Sequence, residues 1–447
     1  MKYLLLVLAL LPSLFLFSQK HDHIWRLGYS GGTGGSAIDS FGISILDFNY
    51  DTLNIYSEHI SPWGFDSANT SMCDAQGNYQ FSSNGIVIID KEGKWMEGEV
   101  ILNEIFPEGY KLPQGVLALP HPRDSNLYAF FHGTKGHLTW VTETWYSEID
   151  MRENERLGGI TYMESLVNDT LVYGQYTAVR HGNGRDWWIP MQHYCRIDKG
   201  CQNNFFYTTL LTLTGVEVFE QKIKGNLLTE TGLGQAVFTP DGTKYITPHG
   251  IRASRPIVID IYNFDRCTGE FGNRQQIEFF RVTEDTHRGS ALAISPNSRF
   301  IYLITWTQII QYDLQAEDIQ ASETIVAEYD GFVQYTDNGF PLATRFLRGQ
   351  LAPDDKIYIC TTNSTQYLHV IHNPNEKGLA CNVEQHGIYL PTLNAFSIPN
   401  HPNYRLGTWE GSPCDTLSPI SSTEQVAYNE MNFFPNPSTG FFQLELD

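Results

Sequence analysis

A short strand–turn–strand unit recurs along this chain, and the recurrence constrains the fold more than any single motif does. Its clearest copy is 291–314, where three runs rich in β-branched and aromatic residues (Leu292 to Ile294, Phe300 to Thr305, Gln308 to Leu314) flank a Ser-Pro-Asn-Ser turn and a polar break. Such a piece reads as an antiparallel meander. With the turn residue as register mark, copies fall at Asp74, Pro120, His181, Pro240, Pro296, Pro353 and Pro399, at intervals of 46, 61, 59, 56, 57 and 46 residues. A meander cannot bury both faces alone, so repetition at near-constant spacing announces a stacked or radial array. A four-stranded propeller blade occupies about this length. Seven marks therefore predict an all-β fold, a seven-bladed β-propeller.

The chain ends supply the closure. After Pro399 only Tyr404 to Trp409 remains as strand material, while Ile24 to Tyr29, Phe41 to Phe48 and Asn54 to Tyr56 are strands without an opening unit of their own. The expectation is a ring over residues 19–411, closed by pairing the N-terminal strands with the last blade, which leaves no long sheet edge open. Two β-sandwich domains also give short strands and turns, but not turn marks at a regular interval. The 447 residues exceed one ordinary core, and 41% hydrophobic with 13% aromatic residues suits extensive packed sheet.

Met1-Lys2, the apolar run Tyr3 to Phe17 and the small residue Ser18 form the three parts of a secretory signal peptide, residues 1–18. No second apolar stretch is long enough for a membrane span, so no transmembrane segment is expected and the address is secreted or cell surface. The net charge of -21 repels phosphate backbones and anionic lipid, which argues against nucleic acid as a partner. Residues 412–430 shift to Ser, Thr, Pro and acids and read as a linker. Then comes Phe-Phe-Pro-Asn-Pro-Ser-Thr-Gly-Phe-Phe-Gln-Leu, Phe433 to Leu444, a proline-set turn with a permissive glycine leading into an alternating strand. This stretch resembles the opening of the type A C-terminal sorting domain read by the type IX secretion machinery of Bacteroidota. The resemblance implies that machinery as a partner, with residues 431–447 as the start of a sorting domain truncated at Asp447. Trp25 to Gly28 and the Asp-x-x-Gly-Asn-x-x-Phe unit Asp74 to Phe81 resemble, more weakly, large secreted or gliding-associated proteins of the same phylum.

Export makes the seven cysteines candidates for oxidation. Cys195 and Cys201 flank a turn and are candidates to bridge adjacent strands; Cys381 and Cys414 are candidates to staple the end of the fold. Cys360, within an apolar run, reads as a buried free thiol. No Cys-x-x-Cys pair exists, so neither a structural zinc site nor any other metal or cofactor is expected.

Motifs that carry a mechanism are missing from the sequence: no Gly-x-Ser-x-Gly elbow, no His-Glu-x-x-His, no phosphate loop, no EF-hand loop and no sialidase-type aspartate turn. What remains is positional. Residues beside the innermost strands crowd a propeller's channel mouth, and here they are polar: Gln114, Arg180, His181, Gln235, Arg288, Arg348 and Gln350. Converging arginines would offer forked donors to an anionic ligand; alternatively, these residues solvate the channel. His132, His137, His249 and His287 read as turn or surface histidines rather than ligands. His21 and His23 are expected to be exposed, and of Trp187 and Trp188 at most one faces a given side of the sheet.

These readings converge on a binding or display module that recognises extracellular protein or polysaccharide. The alternatives are an extracellular glycan hydrolase or lyase with its site at the channel mouth, and a structural component of a surface assembly. An acyl, phosphoryl or metal-dependent chemistry has no motif to rest on, so catalysis leans to no.

Overall fold

The computed structural model describes residues 19–30, 40–58, 61–98, 102–103, 109–136, 140–194, 204–223, 234–250, 256–280 and 291–415, and the backbone of 433–434 and 443–444. The expected signal peptide, Cys195, Cys201, His137, His287, Arg288, most of the linker and the Pro435 to Gly440 turn lie outside the described residues.

Six of the seven turn marks sit where the spacing demands, at or just after a short innermost strand. The first blade is β4 (Thr70–Cys73), β5 (Tyr79–Ser83) and β6 (Ile88–Asp90), preceded in the chain by β1 (Ile24–Gly28), β2 (Ile43–Asp47) and β3 (Asn54–Glu58). The second is β7 (Val116–Pro120), β8 (Leu127–Lys135), β9 (Val141–Asp150) and β10 (Gly159–Leu171); the third is β11 (Val179–Arg180), β12 (Trp187–Gln192), β13 (Asn204–Thr212) and β14 (Gly215–Ile223). The fourth is β15 (Val237–Phe238), β16 (Lys244–His249), β17 (Ile257–Phe264) and β18 (Phe271–Phe279). The fifth is β19 (Ala291–Ile294), β20 (Phe300–Ile304), β21 (Gln308–Asp313) and β22 (Thr324–Glu328). A hairpin, β23 (Val333–Tyr335) and β24 (Pro341–Ala343), leads to the sixth, β25 (Phe346–Leu351), β26 (Ile357–Thr361), β27 (Thr365–Ile371) and β28 (Val383–Asn394). Near the C-terminus β29 (Phe433–Phe434) pairs antiparallel with β30 (Gln443–Leu444) across the proline turn.

The turns close by local side-chain chemistry. Asp74 Oδ1 accepts the Gln76 amide (2.9 Å), Asp241 Oδ1 the Thr243 amide (2.9 Å) and Asn297 Oδ1 the Arg299 amide (3.1 Å). Each is an Asx turn, which is why Asp or Asn recurs at the marks. Gly242 follows with φ 72°, a conformation that favours glycine. In the fifth blade the two inner strands, β19 and β20, are buried at every residue, because each lies between two neighbouring blades.

The seventh blade is assembled from both chain ends. Strand β1 runs antiparallel to β4, with backbone amides of Cys73 and Phe65 donating to His21 and Gly28 carbonyls, so it occupies the second position of its blade rather than the innermost. The innermost position belongs to 395–405. Asn69 Nδ2 bridges Arg26 O and Ser397 Oγ (both 2.8 Å), the His401 ring lies 6.2 Å from Trp25, and Arg405 pairs with Asp22 at 2.6 Å. The ring is thus closed by the chain ends, as the unit count predicts. The filling element is not the strand expected at Tyr404 to Trp409: Pro399 and Pro402 lack an amide donor, and the segment crosses as irregular chain.

The disulfide expectation is corrected. Cys414 pairs with Cys267, not with Cys381, with a sequence separation of 147. Beyond β28 the chain leaves the sixth blade and crosses the channel, which carries Cys414 to the β17–β18 turn of the fourth blade; Cys381 stays behind, buried against the fifth blade. Cys360 is a buried free thiol, as read.

Candidate functional site

The central channel is organised by one side chain that the repeat pattern does not announce. Asn400 donates its amide to Asn69 O (2.9 Å) and its Nδ2 to Val116 O and Tyr176 O (both 2.8 Å), and its Oδ1 accepts Gln114 Nε2 at 3.1 Å. Gln114 in turn brackets the backbone of Ala236, donating to its carbonyl (3.0 Å) and accepting its amide (2.8 Å). Through these two side chains the first, second, third and fourth blades are joined at the starts of their inner strands. Gln350 extends the pattern to the sixth blade, donating to His401 O at 3.0 Å.

Below Asn400, toward the turn face, lies a cavity of about 230 Å³. Its walls include Thr177, Gln235 and Gln350, with Asp22, Asn403 and Arg405 contributed by the two chain ends. Asn403 is fixed by its own bond to Pro240 O (2.9 Å). The cavity offers hydrogen-bonding groups over an apolar backing of Val237, Ala293 and Leu351, the mixture that suits a small polar moiety.

The sequence-derived site residues divide. Gln114, Gln235 and Gln350 do come together around this cavity, where Gln235 Oε1 accepts the Gly349 amide at 3.0 Å. Arg180 and Arg348 do not converge. A bulge between Phe346 and Gly349 sends Arg348 to Ser67, ahead of β4, where it donates to the carbonyl and hydroxyl (both 3.1 Å). Arg180 lies at the far end of its strand, stacked 4.0 Å over Trp187 and bonded to Arg185 O and to Gln19. His181 is engaged with Cys267 O (3.0 Å) and the Asn183 amide (3.0 Å). Trp187 and Trp188 face opposite neighbours, their ring nitrogens donating to Pro120 O and Arg266 O.

The N-terminal segment is another correction. His21 and His23 are buried, not exposed, because Gln19 to His23 enters the channel wall beside Tyr404 and Arg405. Burial holds both rings down at about 4, and His401 at about 3. Burial likewise raises the Asp22 carboxyl, opposed by the Arg405 guanidinium, and lowers Arg180 to about 10. His132, in β8, is wholly buried against Trp145. Among the described residues no group of three His, Cys, Asp or Glu side chains is placed to hold a metal, and no helix is long and apolar enough to cross a membrane.

Sequence reasoning missed Asn400, His401, Asn403 and Asp22. The signal was present in part: Pro399-Asn400-His401-Pro402 carries a turn mark with no apolar strand in front of it.

No protein-family profile and no curated protein matches the chain. Among solved structures it is similar to a candidate 6-phosphogluconolactonase from Bacteroides fragilis (9% identity, 84% of this chain and 97% of that chain, TM-score 0.41). It is similar as well to the periplasmic gluconolactonase of Pseudomonas aeruginosa (11%, 84% and 99%, TM-score 0.38) and to Kuenenia stuttgartiensis hydrazine synthase (12%, 82% and 95%, TM-score 0.37). At these identities and scores the likeness carries no argument about site, ligand or activity, and the propeller is read from the sheet topology itself.

Proposed function

We propose that the protein is an exported propeller that recognises extracellular protein or polysaccharide, with the channel-mouth cavity on the turn face as its binding site. The observation that carries this reading is the state of the channel side chains. Gln114, Gln235 and Gln350 line the cavity and are each engaged with backbone groups, which builds a rigid wall, and Thr177 adds a hydroxyl-bearing residue to the lining. A preformed cavity with few placed polar groups suits recognition. The export half of the reading is supported by the Met1 to Ser18 pattern and the Pro435 to Gly440 turn.

A glycan array scored for both retention and product release tests the site. Wild type is expected to retain a ligand without releasing product, and Thr177→Phe, which fills the cavity, to lose that ligand while keeping any that is bound elsewhere on the ring. Release of a cleaved glycan replaces this reading with a hydrolase or lyase; no retention of any glycan removes its polysaccharide half, and a failure to capture any protein as well replaces it with a structural component. For export, N-terminal sequencing of protein from the medium is expected to begin at Gln19, and deletion of 431–447 to hold the protein inside the cell.

A further inference from the structure

A second cleft opens on the side of the ring, between the closing blade and the first blade, and it has a physical cause. Among the described residues the first blade has three strands, the outermost, β6, being three residues long and bridged on its outer side by Trp95. β3 is the edge strand of the closing blade and has no buried residue, and the cleft opens beside it. The resulting cleft has a volume of about 490 Å³, the size at which sites for small ligands begin to enclose them.

Its lining is set by register. Arg26, Ile45 and Tyr56 are paired across β1, β2 and β3 and share one face, with Asp47 two residues on from Ile45 and Glu58 two on from Tyr56. The turn residue Tyr50 and the strand residue Tyr79 complete the walls. Two of these tyrosines are well exposed for aromatic residues, Tyr50 at 63% and Tyr56 at 42%. Nothing in the packing of the ring requires aromatic rings there. Arg26 is 7% exposed, stacks 5.0 Å over Tyr79 and donates Nη2 to Glu58 at 2.6 Å, yet its buried Nε has no partner. The buried Asn49 Oδ1 at the same cleft is also unpartnered. An unpaired buried polar atom costs about 1–3 kcal/mol, so the wall of this cleft carries hydrogen-bonding capacity that the fold itself leaves unused.

We infer that this cleft binds a neutral oligosaccharide. The apolar faces of Tyr50 and Tyr56 fit the C–H face of a pyranose ring. Asp47, Glu58, Asn49 and Arg26 supply the acceptors and donors that vicinal hydroxyls need. Charge selects neutral over anionic sugar: the cleft pairs two cationic side chains, Lys20 and Arg26, with the carboxylates Asp47 and Glu58, and the whole chain is at -21. The site is separate from the channel-mouth cavity, shares no lining residue with it and stands whether or not that cavity binds anything.

The test is calorimetric titration of the full chain with cellohexaose, chitohexaose, mannohexaose and xylohexaose, and with the anionic hexamer of galacturonate. Wild type is expected to bind at least one neutral hexamer and to bind galacturonate at least tenfold more weakly. Tyr50→Ala and Tyr56→Ala, exposed positions whose loss leaves the core intact, are expected to weaken the neutral sugar tenfold or more each, while Thr177→Phe leaves it unchanged. The inference falls if wild type binds none of the neutral hexamers, if both tyrosine variants bind as wild type does, or if only Thr177→Phe abolishes binding.

Discussion

The fifth blade and the closing blade occupy equivalent places in the ring and are specified by different physics. In the fifth, β19 pairs residue by residue with β20, Ala291 opposite Ile304 through Ile294 opposite Ile301, and every side chain of both strands is buried. Its register is set by apolar periodicity, because a slip of one residue turns the buried set outward. In the closing blade the inner position is filled by a proline-broken segment. Its register is set by polar side chains with specific partners: Asn400 Nδ2 on the Val116 and Tyr176 carbonyls, Tyr404 on Ala118 O, Arg405 on Asp22. Repetition tolerates a generic hydrophobic pattern; closure has to pick one ring size, and directional hydrogen bonds make that choice.

Breaking the closing blade is expected to have the largest effect at Trp25, fully buried between Phe48, Tyr358 and His401. Trp25→Ala should cost about 3–5 kcal/mol by chemical denaturation. Asn400→Ala removes few apolar atoms but strands buried carbonyls of two blades and the Gln114 amide, for a loss of about 3 kcal/mol. Its signature is positional: native-state hydrogen exchange should open β1 to β3 well before β19 to β22, whereas equal exchange in both blades would erase the distinction drawn between them.

Cys414→Ser sharpens the same comparison, since the Cys267 bond tethers the end of the crossing segment to the fourth blade. About 2–5 kcal/mol should be lost, with reductant reproducing the effect on wild type and adding nothing to the variant.

Acid has a smaller and graded effect. His21 and His23 are held near 4 and His401 near 3 in the folded ring, against about 6.5 in an unfolded chain. As pH falls from about 6.5 toward 4 the unfolded chain takes up protons that the folded one refuses. The stability that these neutral rings contribute is therefore complete above about pH 6.5 and declines below it. Urea midpoints at pH 7 and pH 5 should differ, and His401→Gln should narrow the gap; an unchanged gap would show that histidines elsewhere, such as His132 and His369, set it.

These contrasts explain what was legible beforehand. Six turn marks were readable because a turn closed by its own side chain, Asp or Asn at four marks and His121 or His181 at two, is encoded within a few residues, and the blade count followed by spacing alone. The closure was readable as a deficit, strands at one end and a missing unit at the other. Asn400 was not, since a single asparagine between prolines has no period, and its partners are carbonyls that any sequence supplies. The burial of His21 and His23 was missed because a polar chain start looks solvated until something packs over it. The convergence of Arg180 with Arg348 failed on one extra residue in β25, a bulge that shifts a side chain toward the other end of the channel.

The contact between Asp22 and Arg405 spans 383 residues, and it has a bearing on how the chain reaches its fold. A ring whose first and last segments share a blade cannot be completed until the segment that closes it has been synthesised. Six blades can form in order, each from local hairpins, but they make an open crescent whose terminal strand edges and apolar faces are bare until the closing segment 395–405 arrives. Loop closure over that distance is the slow, rate-setting event, and the interval before it is when the chain is most exposed to pairing with another copy of itself.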